Sequence, residues 1–135
     1  MPHALIDSSV LLDVLTEDPR WFEWSSGTLE RYAESHLLAI NAMVYAEVSI
    51  RFERIEELDA ALPERLLQRL PIPMAAAFLA GKCFMKYRKR GGTRPTPLPD
   101  FFIGAHAAVE GMPLITRDAA RYRTYFPKLH VVSPK

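Results

Sequence analysis

One cysteine, Cys83, stands alone among 135 residues. It has nothing in the chain to pair with, which excludes an internal disulfide and any metal site built from several thiolates. Its simplest use is as a small buried apolar residue, and so cysteine-poor a chain suits a reducing compartment. Long hydrophobic runs are missing too: Asp, Glu or Lys interrupts every apolar stretch well short of a membrane span. The opening residues, Met1-Pro2-His3-Ala4-Leu5-Ile6-Asp7, place no basic segment ahead of an apolar one, which predicts no secretory signal and a cytoplasmic protein with no membrane attachment. No Gly-rich loop follows the first apolar run, so a dinucleotide-binding turn is excluded. The four histidines are scattered, with no His-x3-His pair to bind zinc. The formal net charge is only +1, so there is no bulk basic footprint.

What the chain does have is alternation. Short, almost wholly apolar segments at 4–6, 36–40, 66–70, 113–116 and 129–132 read as buried strands. Helical stretches separate them, at 9–15, 21–35, 42–52, 55–61, 73–90, 99–110 and 119–125. Asn41 caps one helix, Pro73 and Pro99 open two others, and Gly111 ends the last of these. Residues 91–99, rich in Gly and Pro, read as a loop too short to divide domains. Strands alternating with helices predict one α/β domain over 1–135, built on a parallel sheet.

Basic residues fall in two blocks: Lys82, Lys86, Arg88, Lys89, Arg90 and Arg94, then Arg117, Arg121 and Arg123. They read either as solvated helix faces or as a basic rim around an acidic pocket. Trp21, Phe22 and Trp24 read as core packing or as the wall of a groove for a partner helix. Met74, Phe78, Phe84 and Met85 read as core or as a dimer seam.

Ligands of open α/β sheets bind beyond the carboxyl ends of the strands, and four acids belong there. Asp7 directly follows the first strand, and Asp118 lies just past the fourth. Either one also suits a helix N-cap. Asp100, in the first turn of the helix opened by Pro99, also suits the helix dipole; Ile103, Gly104, Ala107 and Ala108 continue its side of the helix as an inward-looking stripe. Glu47 shares a stripe with Met43, Ala46 and Ile50, which predicts a carboxylate on a core-facing side, with a surface pair to Arg51 as the alternative. Four acids at one sheet edge repel each other and need a cation, and oxygen-only ligands select Mg2+ or Mn2+ over zinc.

At these residues the chain resembles the PIN-domain family and, within it, the VapC toxins. The matching segments are Leu5-Ile6-Asp7-Ser8-Ser9 with Leu11-Leu12-Asp13, Asn41 to Glu47, Pro99-Asp100-Phe101-Phe102-Ile103-Gly104-Ala105-His106-Ala107, and Leu114-Ile115-Thr116-Arg117-Asp118, with a family-like tail from Arg121 to Pro127. The resemblance spans essentially the whole chain. It implies a three-layer α/β/α fold with a parallel five-stranded sheet and helices on both faces. It implies a metal-dependent endoribonuclease, with Asp7, Glu47, Asp100 and Asp118 forming the catalytic site. Asp7 and Asp100 would be the main ligands of Mg2+ or Mn2+; Asp118 would hold a second ion or bound water, and Glu47 would orient or deprotonate the attacking water. Ser8 or Ser9 would contribute a hydroxyl, and Ser8 and Arg117 would meet the RNA substrate. The resemblance further implies a homodimer and a VapB-type antitoxin that carries the complex to operator DNA. The alternative is a catalytically silent scaffold of the same fold that binds RNA or protein.

Overall fold

The structure, a computed structural model, describes residues 1–94 and 98–135. Its elements run β1 (His3–Ile6), α1 (Ser8–Leu15), α2 (Phe22–Ala33), β2 (Leu37–Ile40), α3 (Ala42–Ser49), α4 (Ile55–Ala61), β3 (Gln68–Arg69), α5 (Met74–Lys89), α6 (Pro99–Glu110), β4 (Leu114–Ile115), α7 (Ala119–Arg123) and β5 (Val131–Val132). The five strands form one parallel sheet in the order β3-β2-β1-β4-β5. The expected three-layer α/β/α fold with a parallel five-stranded sheet is thus observed. Right-handed crossovers place α1 to α4 over one face and α5 to α7 over the other. The loop expected at 91–99 includes residues 95–97, which lie outside the described residues.

β1 is the centre of this arrangement. Ala4, Leu5 and Ile6 are fully buried, which is why the sequence shows an unbroken apolar run there. On one side Ala4 sits level with Leu38 of β2; on the other, Leu5 and Ile6 sit level with Leu114 and Ile115 of β4. The chain leaves β1 toward β2 but returns to its other edge only after β3. The direction of winding therefore reverses between β1 and β4, and a crevice opens beyond their carboxyl ends.

Local chemistry sets the helix ends. Asn41 Oδ1 accepts from the backbone N–H groups of Met43 and Val44, a side-chain N-cap. Pro99 occupies the first turn of α6, where its missing N–H costs nothing. Gly111 closes α6 in the left-handed region at φ 65°, a conformation that costs other residues a Cβ clash.

Several expectations need correction. The stripe around Glu47 does not face the core: Ile50 is 82% exposed and Ala46 is exposed, while Val44 and Val48 are the residues of α3 that are buried. Met74, Phe78 and Met85 are not core either, being exposed on one side of α5, whereas Phe84 is half-buried against the core. Trp21, Phe22 and Trp24 are half-buried. β3, β4 and β5 are each only two residues long, shorter than the apolar runs suggested. Among the described residues, no helix is long and apolar enough to cross a membrane.

Candidate metal centre

Asp7 is the first residue past β1 and is almost fully buried. A carboxylate so placed must find donors, and three converge on it. The Ser8 N–H donates to Oδ1 at 2.8 Å, the Thr116 hydroxyl to Oδ2 at 2.7 Å, and the Ser9 hydroxyl to Oδ2 at 3.4 Å. Asp7 therefore caps α1 and also belongs to the acidic site; the two readings of the sequence hold together. Thr116 is the hub of the contact with β4: its oxygen also accepts from the Asp118 N–H at 3.0 Å, which holds the loop that carries Asp118. Asp118 makes no side-chain cap of α7.

Glu47 and Asp100 arrive from helices on opposite faces of the sheet. Glu47 accepts from the Ser8 hydroxyl at 3.0 Å, and the salt bridge expected with Arg51 is absent among the described residues. Asp100 accepts from the buried Tyr122 hydroxyl at a long 3.4 Å. A brace sets α3 against α6. With Asn41 Oδ1 occupied by the helix cap, its amide nitrogen faces Nδ1 of buried His106 at 3.0 Å. An NH2 group only donates, so Nδ1 must accept and His106 is neutral, with its proton on Nε2. Burial holds its pKa below the usual value, in agreement with that form, against a smaller opposing pull from Glu110.

The acids influence one another. Burial raises the Glu47 carboxyl above the ordinary range; Asp7 and Asp100 push it further, while the Ser8 hydrogen bond and Arg121 oppose. Burial likewise raises Asp100, with Arg121 opposing and Asp7 and Asp118 adding to the rise. Burial and the same carboxylates lift the Tyr122 hydroxyl far beyond its usual value, so it stays protonated and remains a donor. The mutual repulsion places Asp7, Glu47, Asp100 and Asp118 in one electrostatic unit.

Arg121 is the cation of that unit; the sequence placed it in a basic block, as a solvated face or a rim of an acidic pocket, without naming its partners. Its Nε lies 2.8 Å from Asp118 and its Nη1 lies 3.7 Å from Asp100. The spacing from Asp118, i to i+3 on a short helix, was the available signal. Arg117 goes elsewhere. Its Nε donates to buried Asp13 at 2.9 Å, its guanidinium lies over the Trp21 ring, and its backbone N–H donates to Ser9. Asp13 also accepts from the Ser25 hydroxyl at 2.8 Å.

Among the described residues, no three Asp, Glu, His or Cys side chains stand close enough to cage an ion as they are oriented. The donor set is nonetheless that of a hard cation: four carboxylates and a hydroxyl at a strand-end crevice, with only one guanidinium against the acids. Asp7 and Glu47 are tied to their neighbours, whereas Asp100 and Asp118 are held chiefly by the side chain of Arg121. In chemistry the residues fit Mg2+ or Mn2+, with Arg121 lying against one oxygen of each of two of the four acids.

The basic end of α5 reaches α6 through a chain of rings. The Arg90 guanidinium lies 5.4 Å over the Tyr125 ring, and Tyr125 packs edge-on against Phe101, the residue after Asp100.

Comparison with known proteins places this geometry. The sequence model of the PIN domain matches residues 4–127. No curated protein sequence matches the chain. Among solved structures, VapBC2 from Rickettsia felis bound to a promoter DNA fragment superposes with a TM-score of 0.73 at 18% identity, over 97% of this chain and 98% of that one. VapBC-1 from nontypeable Haemophilus influenzae gives 0.72 at 17%, over 97% of both chains. A toxin-antitoxin complex from Klebsiella pneumoniae gives 0.70 at 21%, over 98% of both. At such identities the superpositions speak for the fold; the sequence match, which covers most of the chain, speaks for descent, and the chain belongs to the PIN-domain family.

Proposed function

We propose that this chain is a Mg2+- or Mn2+-dependent endoribonuclease and the toxin half of a VapBC-type toxin–antitoxin pair, acting in the cytoplasm. One observation carries the reading: four carboxylates from both sides of the sheet couple to one another at the switch point of a PIN-domain fold. Asp7, Asp100 and Asp118 would hold the cation, which supplies an acidified, oriented water and offsets charge on the phosphoryl oxygens. Glu47, its carboxyl raised above the ordinary range chiefly by burial, is a stronger base than a free glutamate and is suited to taking a proton from the attacking water. Ser8 orients Glu47 through its hydroxyl. The basic end of α5 offers phosphate contacts beside Asp100. Arg117 is tied to Asp13, which makes it a support of the Thr116–Asp118 loop before it is a phosphate ligand. Attack of water on phosphorus with the 3′-oxygen as leaving group would leave a 5′-phosphate and a 3′-hydroxyl, with no part for the RNA 2′-hydroxyl.

Two surfaces support the partners. Leu11, Leu15, Leu29, Leu62 and Leu67 line an apolar groove of about 290 Å3, a form suited to an amphipathic antitoxin helix. Met74, Phe78 and Met85 present an apolar stripe suited to a homodimer. Contact with operator DNA would come through the antitoxin.

The test is cleavage of total cellular RNA by the purified protein with Mg2+, Mn2+ or EDTA, beside an Asp7→Asn, Asp100→Asn double variant. Metal-dependent cuts that vanish in the variant and carry 5′-phosphates are expected. A cyclic-phosphate product would overturn the mechanism, and no cleavage by metal-loaded protein would favour a silent binding scaffold.

A further inference from the structure

Arg121 stands where a cation belongs. Its guanidinium spans two carboxylates from different elements, Asp118 ahead of α7 at 2.8 Å and Asp100 on α6 at 3.7 Å. The whole acidic unit acts on it: burial alone would lower its pKa, but Asp100, Asp118 and Asp7 more than reverse that. The guanidinium is a cation suited to carboxylate oxygens, and it lies against Oδ2 of both acids, where an ion drawn to the same pair would meet it. Two positive groups on the same pair of acids would also repel each other at contact distance. The side chain is about half exposed (54%), and exposed ion pairs hold weakly enough to be displaced.

We propose that Arg121 is a built-in rival of the divalent cation. Guanidinium and ion compete for Asp100 and Asp118, and the ion binds by detaching the arginine. This rests on the metal-dependent reading above. Arg121 thereby does two things: it lets acids gather that would otherwise repel, and it sets the ion concentration at which the site fills.

The experiment compares wild type with Arg121→Gln and, as a control for bulk charge, Arg123→Gln. Arg123 is exposed on the same helix and has no ion pair among the described residues. Calorimetry gives the Kd for Mn2+, and thermal unfolding gives Tm in EDTA and in saturating Mn2+. Arg121→Gln is expected to bind Mn2+ about three- to tenfold more tightly, with Arg123→Gln within about twofold of wild type. In EDTA, Arg121→Gln should melt below wild type, and saturating Mn2+ should close that gap, because the ion replaces the lost counter-charge. A Kd equal to or weaker than wild type, or a Tm gap unchanged by Mn2+, would overturn the proposal and leave Arg121 a structural tie. Failure of all three proteins to bind Mn2+ would overturn the metal reading itself, and the proposal with it.

Discussion

Two acidic regions lie side by side and are treated in opposite ways. Asp13 is 2% exposed, yet it has a full set of partners: the Ser25 hydroxyl at 2.8 Å and the Arg117 guanidinium at 2.9 Å. Asp100, more exposed, holds only a 3.4 Å contact from Tyr122 and a 3.7 Å pair with Arg121, and three other carboxylates press on the same space. One region is neutralised inside the chain and serves to tie α1 and α2 to the loop after β4. The other is left short of positive charge. Burial alone does not account for the contrast, since Asp7 of the second region is as buried as Asp13; the balance of positive charge does, and an unbalanced cluster kept in a folded protein points to chemistry outside the chain.

Substitution should separate the two regions most clearly. On the ribonuclease reading, Asp100→Asn should lower RNA cleavage on the order of 10³-fold, about 4 kcal/mol of transition-state stabilisation, while leaving the urea midpoint unchanged or raised. Asp13→Asn should do the reverse: a loss of roughly 2–3 kcal/mol in urea unfolding, since Arg117 and Ser25 lose a buried acceptor charge, with cleavage below the transition changed far less. If Asp13→Asn abolishes cleavage in folded protein, the division between the regions fails.

The Asn41–His106 brace sharpens the comparison through pH. Burial places the His106 pKa below the ordinary imidazole value of 6.5, so the unfolded chain takes the proton first as pH falls. This contribution to stability is fully present above the unfolded value and is lost as pH drops below it toward the folded one. The fall in urea midpoint between neutral and mildly acidic pH should be smaller in His106→Gln than in wild type. The smallest effect is expected at Ser8. Its hydrogen bond lowers the Glu47 pKa, so Ser8→Ala should move the acid limb of the cleavage profile upward by less than about one pH unit, with little change at the plateau.

Much of this was legible in the residues. The buried strands are apolar runs because both faces of a parallel sheet are covered, and Asn41, Pro73, Pro99 and Gly111 act through local backbone rules that need no tertiary knowledge. The four acids could be found because strand ends and first turns are local positions. Glu47 was found for the wrong reason: its stripe faces solvent, and the helix buries Val44 and Val48 instead. The partners of the acids were not legible. Thr116 meets Asp7 across 109 positions, Arg117 meets Asp13 across 104, and Tyr122 meets Asp100 across 22. Such pairs are made by the winding order of the strands, and one sequence does not print that order.

The bond between Thr116 and Asp7 also has a consequence for timing. During synthesis Asp7 leaves the ribosome long before the strand that completes its surroundings, and β1 waits for a neighbour more than a hundred positions downstream. Pairings of such long sequence separation form late. A partly made chain therefore carries its first acid without its fourth, and on the ribonuclease reading it would leave the RNA that encodes it uncut until β4 and the loop after it have been made.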